Sequence, residues 1–360
     1  MDNLKIQEHV PLKPFTSMHV GGNARYFAEV RTEAELLEAL SFARGRKLRI
    51  FILGGGSNII VKDTGFDGLV IRMQLTGIRL IGENESHADF EVGSGENWDD
   101  FVRFAVDKNL FGIENLSHIP GSVGASVVQN IGAYGQEVSE SVLQVRVVSI
   151  QSMDFSAFSR DDMNFSYRKS RLNRIEEDKG KYAVVSVTFR LKKSGEFKTA
   201  YNDIKKYFLE SPGIELNSKN LRSAIISIRD AKFPFPNSPD SGSVGSFWNA
   251  DPISEETYEN IIHVLRKKGF DKKADEMEGK KDVFRIAQGY KVPYGAFVEL
   301  LGFKGRKIGG AKILESHAGV INNFSGTATA SDVLALSQEV IEAVYREFGI
   351  RMNIEPEIVS

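Results

Sequence analysis

Residues 53–61 read LGGGSNIIV, and this short run constrains the fold more than any other part of the chain. Three successive glycines permit left-handed backbone and carry no Cβ, so main-chain N–H groups there can approach a phosphate or a second backbone closely. The residues that follow narrow the choice. Ile59, Ile60 and Val61 are strand formers, so the glycine turn does not open a helix as it does in the common dinucleotide-binding fold. No Gly-Lys-Ser/Thr follows, which excludes a P-loop. Taken alone, the segment reads as a tight turn between two strands.

A second segment, IPGSVGASVVQNIGAYG over residues 119–135, is small at nearly every position before Val127. A planar or phosphorylated ligand could lie against its main chain. Two such segments could clamp the ends of one dinucleotide, or could simply let two backbones pack closely, and the residues leave both readings open. Around them the pattern alternates. TEAELLEALSFARG opens with a capping box, Thr32 to Glu35, carries Leu36, Leu37, Leu40 and Ala43 on one side and stops at Gly45. RIFIL, GLVIRM, ADFEVGSG, VLQVRVVSI and YAVVSVTFRL read as strands, and residues 97–109 as a helix with Trp98, Phe101, Val102 and Ala105 inward. Residues 331–348 place Val333, Leu336, Val340 and Val344 at helical spacing before Gly349, and RMNIEPEIVS reads as a closing strand. The pattern changes after Leu191, and KFPFPNSPDSGSVGS looks like a crossing into a separate unit. The fold class is α+β, with divisions near residues 85 and 200, hence 1–85, 86–200 and 201–360.

Composition excludes several functions. Lys+Arg total 46 against Asp+Glu 48, so no bulk positive field argues for a nucleic-acid or membrane partner. The absence of cysteine removes disulfides, thiolate nucleophiles and Cys-ligated metal. The six histidines show no HExxH or paired spacing, so no metal is expected. The N-terminus lacks an apolar signal core and no run of 18 apolar residues occurs, which places the expected location in the cytoplasm. The residue hardest to place is Ser246 in DSGSVGSFWNADP, the serine of the second of two Gly-Ser pairs and just before Phe247 and Trp248, with no histidine near it in sequence.

LGGGSNIIV, IENLSHIPGSVGASVVQNIGAYG, FSYRKS, GSF and the final EPEI occur here in an order and spacing that resemble the UDP-N-acetylenolpyruvoylglucosamine reductase (MurB) family, over residues 12–358. The resemblance implies an FAD-binding domain of the vanillyl-alcohol-oxidase (PCMH) type in two subdomains, 1–85 and 86–200, and a C-terminal α+β substrate-binding domain, 201–360. It implies non-covalent FAD held by Gly54, Gly55, Gly56, Ser57 and Asn58, and by Gly121, Ser122, Gly124, Gln129, Asn130 and Gly132. The implied reaction moves hydride from NADPH through FAD to UDP-N-acetylglucosamine enolpyruvate, giving UDP-N-acetylmuramate for peptidoglycan, in a monomer.

Hydride added at the terminal enol carbon leaves negative charge on its neighbour and on the carboxylate, so the site needs cations over the carboxylate and a proton donor at the carbanion. By resemblance Ser246 gives the proton. It needs no base because it donates a proton instead of attacking. Arg168 in SYRKS pairs with the carboxylate, which a guanidinium can do through two parallel bonds. Glu357 in EPEI could donate a hydrogen bond to the enolate. Glu355, two positions away, would share its face on a strand. Tyr134, Tyr201, Arg229, Lys232, Glu299 and His317 match substrate-contacting positions, with Tyr201 in the tyrosine loop of the family's longer form. As bare sequence, Arg168 is a surface cation, either glutamate a solvated edge charge and His317 a satisfied loop histidine. The family's Lys-Asn-Pro pattern after its serine is shifted here, so Asn249 does not carry over. Its lid tyrosine has no clear counterpart, Tyr258 and Tyr290 being the candidates. Two rivals remain: an FAD-dependent alcohol or sugar oxidase on the same flavin fold, and a flavin-free nucleotide-sugar binding module.

Overall fold

The computed structural model describes residues 4–174, 178–232, 242–250, 252–279, 284–286, 289–292 and 294–360. It forms two compact units. The first gathers the chain up to Pro11, Asn23–Gly56, and the chain from Gly65 through the helix Ser218–Lys232. The second gathers Leu12–Gly22, Ser57–Thr64 and the C-terminal part from Gly242 onward.

In the first unit, the strands Ile6–Pro11, Asn23–Val30, Phe66–Met73 and Arg49–Leu53 form one sheet in that order. The last three are parallel, and the helix Glu33–Gly45 is the crossover that parallel pairing requires. Its expected cap is present: Thr32 accepts from the Glu35 N–H, and the Glu35 carboxylate accepts in return. Leu36, Leu40 and Ala43 are buried as the periodicity predicts, while Leu37 sits at the margin.

The second sheet of this unit is antiparallel: Phe155–Ser159, Val142–Ser149, Tyr182–Lys192, His87–Gly93 and Ile78–Glu83. The helix Trp98–Asp107 packs Trp98, Phe101, Val102 and Ala105 into the same core as this sheet, with the Phe101 and Phe189 ring centroids 4.9 Å apart. Because Ile78–Glu83 pairs within this second sheet, the change of sheet falls after Met73, not near residue 85.

The expected division near 200 also shifts. The helices Asn202–Glu210 and Ser218–Lys232 belong to the first unit, where Ile204, Leu221 and Ile225 form a small core with Tyr134 and Phe197. Long-range packing of this apolar stripe decides its membership, and the sequence carries no sign of it. The segment KFPFPNSPDS lies largely outside the described residues.

In the second unit the helix Ala330–Phe348 buries Val333, Leu336, Val340 and Val344 as expected and ends at Gly349 in left-handed conformation. Its N-terminus is held by an early part of the chain, since Asp63 accepts from the Ala330 and Ser331 N–H groups and from the Ser331 hydroxyl. The closing segment RMNIEPEIVS is two strands, Met352–Ile354 and Glu357–Val359, with different partners. Pro356 lacks an N–H and separates them, so the expected common strand face for Glu355 and Glu357 does not exist.

One ion pair orients the helix Ser218–Lys232. Both Arg222 guanidinium nitrogens donate to Asp99, at 2.6 and 2.7 Å, and the His118 N–H donates to the same carboxylate at 2.5 Å. Burial pushes the Asp99 carboxyl up, but Arg222 and the His118 N–H outweigh it and hold it below its ordinary value. The stability contributed is therefore present above the unfolded pKa of about 3.9 and lost as pH falls through the folded one. Asp99→Asn is expected to cost about 2–3 kcal/mol at pH 7 and progressively less below about pH 4, read by urea unfolding of both proteins. An equal deficit at every pH would rule out the ion pair as its cause.

Candidate active site

The glycine run does not join a hairpin. Arg49–Leu53 pairs with Phe66–Met73 in the first unit, whereas Ile59–Val61 pairs in parallel with Glu357–Val359 in the second. The expected tight turn between paired strands is instead the crossing from one unit to the other, between Gly56 and Ser57. On the first-unit side, Gly54 and Gly55 press onto the second glycine segment. A Cβ on Gly54 would stand 2.6 Å from Ser122 Oγ, and one on Gly55 would stand 2.6 Å from Gly121 Cα. At Gly55 backbone meets backbone, so a side chain there would part the two segments, while Gly54 is closed in by the side chains of Ser122 and Ala125.

The second segment is pinned from below. Trp98 N–H donates to Gly121 O, Val123 N–H to Glu96 O and Gly124 N–H to Ser94 O, while Val123 and Val127 are fully buried. Gly124 leaves no room for a Cβ, which would lie 2.7 Å from Ser94 Cβ. Ser122 caps the short helix Val123–Val128 by accepting from Ala125 N–H, and Gln129 follows that helix, half-buried. Among the described residues, two buried polar atoms in this unit, Ser94 Oγ and Asn115 Oδ1, have no partner. A buried polar atom in that state costs about 1–3 kcal/mol unless something satisfies it. A small-residue cradle with unsatisfied polar atoms beside it fits a large polar cofactor such as FAD.

Two tight turns present Tyr134 and Arg168, two of the expected ligand-binding residues of this unit. Gly132–Ala133 and Gln136–Glu137 form a hairpin whose loop residues, Tyr134 and Gly135, have φ of 48° and 80°. Two left-handed loop residues are the signature of a type I′ turn, which favours glycine or asparagine over tyrosine. In the second turn Ser166 and Lys169 exchange both backbone hydrogen bonds at 2.9 Å, leaving Tyr167 and Arg168 at the tip with Arg168 at φ 57°. Of ten non-glycine residues with positive φ among the described residues, four (His118, Asn130, Tyr134 and Arg168) lie on or beside this segment. Such conformations cost about 1–3 kcal/mol each and collect where a side chain must be aimed.

The Arg168 guanidinium rests beside Gly132, where an added Cβ would stand 3.3 Å from Nη1. Asn130 is fully buried, and both of its amide protons are donated, to Glu137 and to Ser166 O. Only its main chain is left for a cofactor.

Cations gather around Tyr134. Its hydroxyl is hydrogen-bonded to Arg229, which also donates to His118 O at 3.0 Å. Burial pushes the Arg229 guanidinium down from its ordinary value. Tyr134 and Asp99 oppose this, and the positive charge of Arg168 adds to it. Burial raises the Tyr134 hydroxyl, while Arg229 and Lys232 pull it the other way. Arg168 and Arg229 are close enough to repel one another, a repulsion that a bound anion would relieve. Lys232 reaches Asp203 at 2.6 Å, and Tyr201, half exposed, meets the Tyr134 ring edge-on at 5.8 Å. The first unit thus brings together Tyr134, Arg168, Tyr201, Arg229 and Lys232. Sequence reasoning missed Asp99, Asn115, Asp203 and Arg222, because each acts on a partner distant in the chain and no local motif marks it.

The second unit holds the other expected residues. Gly242–Ser246 pairs with Val320–Asn323, and an extra residue enters between Ser243 and Ser246, where Gly245 has φ 73°. That bulge resets the alternation. Val244 points inward, Ser246 is exposed, and Phe247 and Trp248 are wholly buried, with Trp248 Nε1 donating to Ser337 at 2.8 Å. The aromatics therefore anchor a strand whose serine stays accessible.

Ser246 stands opposite Val320, just after the turn that carries His317, whose Nδ1 accepts from Gly319 N–H. Phe247 O accepts from Glu355 N–H, and Asn58 O from Glu357 N–H, both at 3.0 Å, so Asn58 and Glu357 become neighbours. Glu357 is exposed and Glu355 half-buried. Glu299 is ion-paired with Lys304 at 2.9 Å on an exposed surface. Tyr258 and Tyr290 stack at 4.4 Å in the core, each almost wholly buried, so neither is a lid.

Residues 24–151 match the family described as FAD binding domain, and residues 237–359 match the UDP-N-acetylenolpyruvoylglucosamine reductase C-terminal domain. The reductase of that name from Flavobacterium johnsoniae is 33% identical over 99% of this chain and all of its own, and that from Neisseria gonorrhoeae is 34% identical over 98% and 96%. The chain belongs to the UDP-N-acetylenolpyruvoylglucosamine reductase family. The MurB crystal structure from Thermus caldophilus shares the fold, with a TM-score of 0.65 at 22% identity over 99% of this chain and all of that one. Family membership establishes the FAD-binding fold of PCMH type and FAD as the cofactor.

Gly55→Ala tests the backbone contact between the glycine segments. It is expected to cost about 1–3 kcal/mol of stability and to lower the flavin carried per mole of purified protein, read by thermal unfolding and visible absorbance. A variant of full stability and full flavin content would show that the close approach is not needed.

Proposed function

We propose that this protein reduces UDP-N-acetylglucosamine enolpyruvate to UDP-N-acetylmuramate with NADPH as the reductant. The observation that carries the reading is the full-length relation to reductases of that name, with both family halves matched in order. FAD held by the two glycine segments would supply the hydride relay between NADPH and the enolpyruvyl double bond.

The remaining work falls to the chain's own side chains. Gly54–Gly56 with Ser57 and Asn58, and Gly121, Ser122, Gly124, Gln129 and Gly132, hold the cofactor through closely approaching backbone. Arg168 binds the substrate carboxylate, where a fixed charge stabilises the negative charge that develops on reduction. Ser246 delivers a proton to the carbon next to that carboxylate, and Glu357 in its protonated form donates a hydrogen bond to the enolate. Arg229 and Lys232 hold the diphosphate, with Tyr134 and Tyr201 packed beside them, and Glu299 and His317 complete the substrate contacts. The positive patch around Tyr134 supports the anion-binding part of this reading.

The product serves peptidoglycan synthesis, and through it cell shape and division. The reading extends to a cytoplasmic monomer without a nucleic-acid or membrane partner, and the nearly balanced charge, 46 Lys+Arg against 48 Asp+Glu, supports its last part. An oxidase on the same flavin fold gains no support from the relatives, which carry the reductase name.

An anaerobic absorbance experiment separates these readings. NADPH is expected to bleach the flavin band, and the enolpyruvyl substrate to restore it. Restoration by oxygen alone would point to the oxidase. Ser246→Ala is expected to leave bleaching by NADPH near the wild-type rate and to slow restoration by roughly 10²-fold or more. Equal losses in both halves would remove Ser246 from the proton-donor role.

A further inference from the structure

We infer that Asn130 is a positioning residue for Arg168: its side chain ties the Arg168 turn to the hairpin on which the guanidinium rests. The inference builds on the proposed role of Arg168 at the substrate carboxylate.

Asn130 is fully buried, and its amide makes three hydrogen bonds within the first unit. Nδ2 donates to Ser166 O at 2.9 Å and to Glu137 Oε2 at 2.9 Å, and Oδ1 accepts from Ser139 N–H at 3.2 Å. Ser166 pairs with Lys169 at the base of the two-residue turn that carries Arg168, and Glu137 pairs with Gly132, beside which the Arg168 guanidinium lies. One amide thus holds both ends of the arginine's setting: the turn its backbone springs from and the hairpin its side chain rests on. Asn173 steadies the far side of the turn by donating to Arg168 O at 3.3 Å.

The residue type fits this task. Asn130 has φ 45°, a conformation that asparagine tolerates better than most side chains. Its amide offers two donors and an acceptor, as the three partners require. Glutamine would be a methylene too long for the buried site, and aspartate would lose both donors. A guanidinium that binds a carboxylate through two parallel bonds depends on orientation. A displacement of about 1 Å in such a group can cost roughly 100-fold in rate.

The test is a double-mutant cycle on FAD-loaded protein, with Asn130→Gly, Arg168→Ala and the double variant. Glycine accepts φ 45° without strain, so it removes the amide while keeping the backbone. Two readouts are taken: equilibrium binding of the enolpyruvyl substrate to the oxidised protein, and the rate at which substrate restores the flavin band. Asn130→Gly is expected to weaken both by about tenfold or more while carrying as much FAD as wild type. In the Arg168→Ala background it should add less than about twofold.

Loss of FAD from Asn130→Gly, or a full tenfold loss repeated without Arg168, overturns the inference. Thermal unfolding of Asn130→Gly separates poor folding from misplacement of Arg168, and a single cooperative transition with FAD bound is expected. Wild-type substrate binding by this folded variant also overturns the inference. If Arg168→Ala alone leaves both readouts unchanged, the role given to Arg168 fails instead, which is a separate result.

Discussion

The first unit depends on a contact that only glycine permits. Gly54 and Gly55 lie against Gly121 and Ser122 with no space for a Cβ between them, so two segments far apart in the chain share one backbone interface. Each is fixed from its other side. The strand Arg49–Leu53 is bonded into a parallel sheet, and residues 121–124 are bonded to residues 94–98. Removing side chains from this interface loses packing and raises the entropy cost of ordering the backbone. In return, main-chain amides come close enough to meet a phosphate-bearing ligand. Small residues here are thus a requirement of geometry, and the core beneath, built on Trp98, Phe101, Val123, Val127 and Phe189, bears the cost in stability.

From that interface the chain runs into a region of strained turns. Asn130, Tyr134 and Arg168 all adopt left-handed backbone, although only asparagine does so readily. The structure holds these turns by buried hydrogen bonds instead of bulk packing, and Asn130 is central to them. The helix Ser218–Lys232 then brings Arg229 and Lys232 to Tyr134, with Arg222 on Asp99 as its anchor. Arg168 and Arg229 stand close together where hydrogen-bonding capacity is already committed, with Lys232 balanced by Asp203. That combination is costly for an empty protein and favourable for one that binds an anion.

The second unit solves a different problem, keeping a serine accessible on a strand whose next two residues are buried aromatics. A one-residue bulge at Gly245 changes the alternation, so that Ser246 remains outside while Phe247 and Trp248 enter the core. Glu357 arrives by a parallel pairing with Ile59–Val61, beside Asn58, from the opposite end of the chain. None of these placements depends on a local motif.

Local chemistry was legible in the sequence. The Thr32–Glu35 capping box and the apolar faces of the helices around Trp98 and Val333 follow from short-range spacing, because propensity and periodicity are properties of neighbouring residues, and the motifs that mark the reductase family are short runs of the same kind. Only the tertiary structure decided the rest. It showed that the glycine run crosses between units and does not turn a hairpin, and that Ser218–Lys232 packs with the first unit. It also split the final strand at Pro356 and bound the Asn130 side chain to the Arg168 turn. Each of these rests on hydrogen bonds or packing between residues distant in the chain, whose formation depends on what the whole chain can bury and satisfy at once.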